Sequence, residues 1–306
     1  EPDYQTDHLL RFMERASADP GGRPFLGMIC YGLPHPPLEA PEHYLDLYAP
    51  DQVSLSRNVP QDAVSQQRAR EFLAKYYGLV ACVDHNIGRV LNWLDAHDLA
   101  QDTLVLVVSD HGEMAGEHGR YGKKTFYRNS MQVPMLVRYP CAFEGGQVID
   151  ALVDPSVDTM PTLLELCGLP VPEAVQGASY LSLLSGDPTP TREAIYYEIL
   201  MEREGPEKFP VPERGVRTQE WLYVRRQASP THLYNLSEDP LEQHNLVTSA
   251  AHESVLGWLD DMLVEHMRCT GDDWGIEAVF PPPDFQTHEE GREYARKLLA
   301  RAIVEP

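Results

Sequence analysis

Thr103-Leu-Val-Leu-Val-Val-Ser109-Asp110-His111-Gly112-Glu113-Met-Ala-Gly-Glu-His-Gly-Arg-Tyr-Gly122-Lys123-Lys124 is the stretch from which fold and chemistry can both be read. Its first seven residues are a short, nearly continuous apolar run, the pattern of a strand buried on both faces of a parallel sheet. Polarity changes abruptly at Asp110. A carboxylate and an imidazole side by side after a buried strand stand where open α/β sheets hold their ligands. Both are competent ligands for a divalent ion. Glycines at 112, 116, 119 and 122 let the backbone loop back, so that Lys123, thirteen residues after Asp110 (123 − 110), can return to the same pocket. Its ammonium would neutralise an anionic oxygen beside the metal. His111 and His118 do not form H-E-x-x-H, so a zincin reading fails.

The flanking sequence repeats the same grammar. Asp7 to Ala16 carries Leu9, Leu10, Phe12 and Met13 at the spacing of one buried helix face. Phe25 to Tyr31 is another apolar run and is expected to be a buried strand; it ends in Gly32-Leu-Pro-His35-Pro-Pro37, a stiff turn that can continue neither helix nor sheet. Residues 42–61 are proline-punctuated loop. Asp62 to His97 is the longest helical pattern, with Asp62 as its N-cap, and Val133 to Arg138 is a further strand. This βαβ order implies an α/β fold with a mostly parallel (mixed) sheet sandwiched by helices. Val157 to Leu169 is an amphipathic helix. After Gly186 the texture changes: 194–200, 220–225 and 232–235 are rich in β-formers between turn residues, and 251–267 is helical, which predicts a small C-terminal antiparallel sheet plus helix. Three regions follow: 1–186 as the α/β part, 187–268 as the small sheet with its packing helix, and 269–306 as an arm that could pack on a second copy in a homo-oligomer.

The chain has 306 residues, 47 acidic against 25 basic side chains, and a net charge of −22. No basic stripe of the kind that replaces phosphate counterions is present, which excludes nucleic acid as a partner. No run of about 18 apolar residues exists, which argues against a membrane span. A small anionic substrate remains compatible with this charge where a metal or a local Lys/His cluster reverses the field. Five cysteines without a C-x-x-C argue against a disulfide framework. Cys30, Cys82 and Cys167 lie in apolar contexts and read as small buried hydrophobes. The same bland reading, packing or surface, is assigned to Asp84 and His85 in the long helix. Glu117 and His118 read as loop-structuring groups and Lys124 as a solvated neighbour.

Ser109-Asp-His-Gly-Glu-Met, Gly116-Glu-His-Gly, Tyr121-Gly-Lys-Lys-Thr-Phe-Tyr127 and Val133-Pro-Met-Leu-Val-Arg138 together resemble the carboxy-terminal half of sulfatases. These belong to the alkaline phosphatase superfamily with the arylsulfatases and the phosphonate monoester hydrolases. Tyr31 to Pro41 resembles the family's P-H-x-P turn, and Leu233-Tyr-Asn-Leu-Ser-Glu-Asp-Pro-Leu-Glu242-Gln-His-Asn-Leu246 resembles the marker of its small terminal sheet. The resemblance implies a hydrolase of sulfuric esters. It makes Asp110 and His111 the second pair of metal ligands, and His35 and Lys123 the catalytic groups that contact the sulfuryl or phosphoryl oxygens. Many sulfatases carry Asn where this chain has His111. Calcium is the first expectation for the metal, and manganese and zinc stay open because an imidazole is a softer ligand than an amide oxygen.

The family nucleophile, a cysteine matured to formylglycine or a serine within C/S-x-P-x-R, has no match in the chain, and neither does the first acidic metal pair. The expectation is therefore a fragment, inactive by itself, that supplies half of a site to a longer enzyme acting on a small anionic ester. Two alternatives stand beside it: a phosphonate monoester or phosphodiester hydrolase, and a non-catalytic sulfatase-like module for binding or oligomerisation. The compartment, cytoplasmic or periplasmic for a soluble protein, stays open, because an export signal would lie outside this stretch. Substrate selectivity would rest on loops such as 42–61 and 200–215.

Overall fold

The computed structural model describes residues 1–187, 192–199, 212–227 and 229–273. Most of the expected arm, from 274 onward, and most of the 200–215 loop lie outside the described residues. The chain divides into two units, Glu1–Val107 with Met114–Tyr121 and Leu136–Gly146, and Val108–Glu113 with Gly122–Met135 and Gln147–Pro306. The fold is mixed α/β, as the sequence implies.

The first unit is built on helices α1 (Pro2–Ser17), α2 (Glu42–Leu45) and α3 (Ala63–Ala96). Pro2 opens α1, where its missing N–H costs nothing because the first helical donors have no intrahelical partner anyway. Asp62 caps α3 by accepting from the Ser65 N–H at 2.9 Å. Met13 of α1 and Leu94 of α3 meet Ala100 in a small core bordered by Leu9, Leu10, Val90 and Trp93. Polar contacts close the helix pair at its other end, where Asn86 donates to Asp3 at 3.1 Å and Arg89 bonds Asp7. Strands β1 (Val105–Val108) and β2 (Met135–Arg138) are hydrogen-bonded neighbours in a two-stranded sheet.

Phe25 to Tyr31 departs from the expected buried strand. Phe25 packs edge-on against Phe12 at 6.0 Å, the Cys30 carbonyl accepts from Gln5 at 2.7 Å, and the Tyr31 hydroxyl meets Thr6 at 2.8 Å. One side of the run therefore lies on α1. On the other side Leu26 and Met28 are 85% and 87% exposed. An apolar run becomes a strand only where a neighbour supplies ladder hydrogen bonds, and among the described residues no strand pairs with this one. The cysteine reading changes for the same reason: Cys82 is buried, whereas Cys30 on this open run and Cys167 just past a helix end are exposed. All five cysteines are free thiols.

The second unit holds helices α4 (Arg128–Met131), α5 (Pro155–Leu166) and α6 (Leu181–Leu184). It continues with the antiparallel sheet β3 (Ile195–Ile199), β4 (Glu213–Arg217), β5 (Trp221–Arg226) and β6 (Ser229–Asn235), and ends in α7 (Glu253–Cys269). α5 starts before the expected Val157 because Asp154 accepts from the Ser156 N–H at 3.1 Å and Pro155 follows it. Side chains on β5 alternate faces with the strand period. Trp221 and Tyr223 pack with Leu259, Leu263 and Met267 of α7, and Leu222 and Val224 pack with Phe126 and Tyr234. Both faces of the sheet are covered, the second by the segment that follows Lys123. No helix among the described residues is long and apolar enough to cross a membrane.

Candidate functional site

The loop after β1 is pinned by its own backbone. Gly112 donates to the Ser130 carbonyl at 2.8 Å. A Cβ at Gly112 would stand 1.9 Å from the Asn129 carbonyl oxygen, so only glycine lets the two backbones approach this closely. The Ser109 hydroxyl donates to the His111 carbonyl at 2.8 Å, and the His111 N–H donates to Asp110 Oδ1 at 3.0 Å. Asp110 and His111 are therefore held as one turn on a fixed support.

The protonation of His111 follows from its partners. Its Nδ1 lies 2.8 Å from the Gly112 carbonyl oxygen. A carbonyl can only accept, so Nδ1 carries a proton, and in the neutral ring Nε2 keeps its lone pair. That lone pair faces the ammonium of Lys123, 2.5 Å away, and Nε2 stands 3.6 Å from Asp110 Oδ2. The Asp110 side chain is 86% exposed and the His111 side chain 31%. The arrangement places an exposed carboxylate beside the imidazole nitrogen that faces the Lys123 ammonium.

Lys123 reaches His111 because the loop returns. Glu113 Oε1 accepts from the Gly122 N–H at 2.6 Å and so clamps the two ends of the excursion together. Gly122 sits at φ +79°, a left-handed turn that a side chain would strain. Glu113 and Ser109 were not singled out from the sequence. The signal was present, a carboxylate and a hydroxyl next to Asp-His, but their targets are backbone atoms whose return no local pattern reveals.

Of the other candidates, His35, Glu117 and His118 occupy the first unit and Lys124 the second. His35 is exposed, and its Nδ1 donates to the Pro36 carbonyl at 2.7 Å, which leaves Nε2 as the acceptor nitrogen. Glu117 and His118 hold a loop, as expected: Asn58 Nδ2 lies 2.7 Å from Glu117 Oε2 and 3.1 Å from His118 Nε2. Lys124 is half-buried rather than solvated and has a left-handed backbone at φ 72°.

The donor chemistry of Asp110 and His111 fits a divalent ion, a hard carboxylate oxygen beside a neutral imidazole nitrogen. Their number does not complete one. Among the described residues no three His, Cys, Asp or Glu side chains come together.

The sulfatase family model matches residues 2–169, and the model for the C-terminal part of N-sulphoglucosamine sulphohydrolase matches 116–268. An ulvan-active sulfatase of Formosa agariphila is 30% identical over 86% of this chain and 51% of its own length. An N-acetylglucosamine-6-O-sulfatase of Bacteroides thetaiotaomicron is 31% identical over 67% of this chain and 37% of its own. Among solved structures, a phosphonate monoester hydrolase of Silicibacter pomeroyi superposes with a TM-score of 0.76 at 26% identity, over 88% of this chain and 60% of that one. The chain spans about half or less of the length of these two curated relatives.

Proposed function

The chain belongs to the sulfatase family of hydrolases, and from that premise we propose that residues 1–306 supply half of a sulfate ester hydrolase site to a longer protein. The single observation that carries this reading is the contact of Lys123 with His111 beside Asp110, which gathers cation, metal ligand and carboxylate at one turn. Asp110 and His111 would hold a divalent metal, calcium first and manganese or zinc next, whose bound charge would stabilise negative charge on the ester oxygens. Lys123 donates to a non-bridging oxygen of the transferred group, where charge builds up in the transition state. By the family resemblance His35 would be the group that protonates the leaving oxygen. The chain contains no C/S-x-P-x-R, so the attacking group comes from outside residues 1–306, and the chain by itself turns over little ester.

The substrate class is a small anionic ester. The names of two relatives carry a carbohydrate, ulvan in one and N-acetylglucosamine in the other, which supports a sulfated sugar as the first compound to try. A phosphonate monoester is the second reading, favoured by the likeness to the Silicibacter pomeroyi enzyme. The test is turnover of an aryl sulfate, a sulfated aminosugar and an aryl phosphonate by the complete protein, stripped of metal and reloaded. Sulfate hydrolysis exceeding phosphonate hydrolysis supports the first reading, and the reverse order supports the second. Absence of all three activities in the loaded protein refutes both.

A further inference from the structure

Glu242 lies in the Asp239-Pro-Leu-Glu242 stretch of the terminal-sheet marker, far in sequence from Lys123, and its side chain is 2% exposed. Its carboxylate is divided between two elements. Oε2 accepts the backbone N–H of Arg128 at 2.7 Å, and Oε1 accepts from Arg217 of β4 at 3.1 Å. A buried carboxylate is tolerated only when both oxygens are satisfied in this way. Burial pushes the Glu242 carboxyl up, and the Arg128 N–H and the Arg217 guanidinium hold that rise back. The residue also keeps a left-handed backbone at φ 55°, uncommon for a side chain with a Cβ, so local structure has been bent to aim it.

The Arg128 end leads to the site in a few bonds. Arg128 opens α4, the Gln132 N–H returns to the Arg128 carbonyl at 2.7 Å, and the Ser130 carbonyl accepts the Gly112 N–H at 2.8 Å. The Gly112 carbonyl in turn accepts His111 Nδ1 at 2.8 Å. Lys123 precedes Arg128 by five residues (128 − 123) on the same segment, and Phe126 and Tyr127 between them pack on the sheet with Leu222 and Val224. One carboxylate from the turns after β6 thus holds the segment that carries Lys123 and supports the turn that orients His111.

We propose that Glu242 is a positioning residue for Lys123 and His111, acting through Arg128 and Ser130. The proposal rests on the reading of those two residues as site groups. The ordinary alternative is that Glu242 only anchors the fold, which would lower stability and leave the chemistry of folded molecules unchanged.

The test uses Glu242→Gln and Glu242→Ala in the complete protein, assayed well below each variant's own melting midpoint, with turnover normalised to folded enzyme. The expected result for Glu242→Ala is a kcat lowered by about tenfold or more with KM within about threefold, the signature of misplaced transition-state contacts. Glu242→Gln, which keeps one acceptor for the Arg128 N–H, should recover part of that loss. In parallel, amide hydrogen exchange on the complete protein should show faster exchange at Gly112 and Gly122 in Glu242→Ala, with β5 protected as in the parent protein. A kcat per folded molecule unchanged within about twofold overturns the proposal, and so does unaltered exchange at Gly112. Exchange needs no turnover. A complete protein with no esterase activity would thus refute the proposed function, while the exchange result would still judge the coupling.

Discussion

Lys123 directs its ammonium at Nε2 of His111 from 2.5 Å, on the nitrogen left unprotonated by the bond from Nδ1 to the Gly112 carbonyl. A metal held by His111 would use the same lone pair, so Lys123 would have to give up this contact when the metal binds. Asp110→Ala and His111→Ala in the complete protein should therefore lose bound metal and activity together. Lys123→Ala should keep its metal and lower kcat/KM by orders of magnitude. Metal per chain by mass spectrometry, measured beside turnover, checks both. Full metal content in His111→Ala would remove its role as a ligand, and a loss below about threefold in Lys123→Ala would remove that residue from the chemistry.

Gly112 and Gly122 serve one loop for different reasons, and alanine separates them. At Gly122 the space beyond a Cβ is open, so only the left-handed φ of +79° opposes the change, a cost of about 1–2 kcal/mol. At Gly112 the Cβ would press into the Asn129 carbonyl, and relief requires moving the backbone that carries the site, about 3 kcal/mol or more. Urea midpoints should rank Gly112→Ala well below Gly122→Ala. Equal midpoints would mean that residues 129–130 yield freely, and the support described for His111 would not be rigid.

Much of this was legible in the residues, and the exceptions have causes. The long helix and its Asp62 cap, and the turn Asp110-His111, follow from periodicity and from local side-chain chemistry. The strand Glu213–Arg217 was missed because its charges hide its pattern. Those charges are buried in pairs, Arg214 with Asp272 and Arg217 with Glu242, and their partners lie at least 25 residues away. Phe25 to Tyr31 failed in the opposite sense: its continuous apolar run is real, and Leu26 and Met28 still face solvent. Pattern records which face a side chain prefers, while ladder partners and ion pairs are decided elsewhere in the chain.

Asp158 tests how the second unit is held together. Its carboxylate is 1% exposed, bonds Arg192, and also accepts the backbone N–H groups of Asp154 at 2.9 Å and Ala178 at 2.8 Å. Arg192→Met leaves a buried carboxylate that two amides still solvate. Asp158→Ala leaves both amides and the guanidinium without their acceptor. Breaking such a pair costs about 3–5 kcal/mol, and each orphaned buried donor about 1–3. Asp158→Ala should therefore be the more destabilised by about 1–2 kcal/mol in chemical denaturation. If Arg192→Met proved the worse, the ion pair rather than the amide bonds would be what fixes α5.

His266 on α7 gives this unit a dependence on acid. Its ring stacks on Tyr196 with centroids 3.7 Å apart and planes 1° from parallel. Burial lowers its pKa below the usual histidine value and the nearby Arg192 cation lowers it further, while Asp272 opposes them. A depressed histidine binds its proton more weakly in the folded state than in the unfolded one. Its contribution to stability is therefore present above about pH 6.5, the unfolded value, and is lost as pH falls toward and through the lower folded value. His266→Phe keeps the stack and cannot take the proton. Its melting midpoint should match the parent's near pH 8 and exceed it near pH 5, with the two curves separating below about 6.5. Parallel curves across that range would show that His266 gains its proton as easily in the fold as outside it, and the acid sensitivity would belong to other groups.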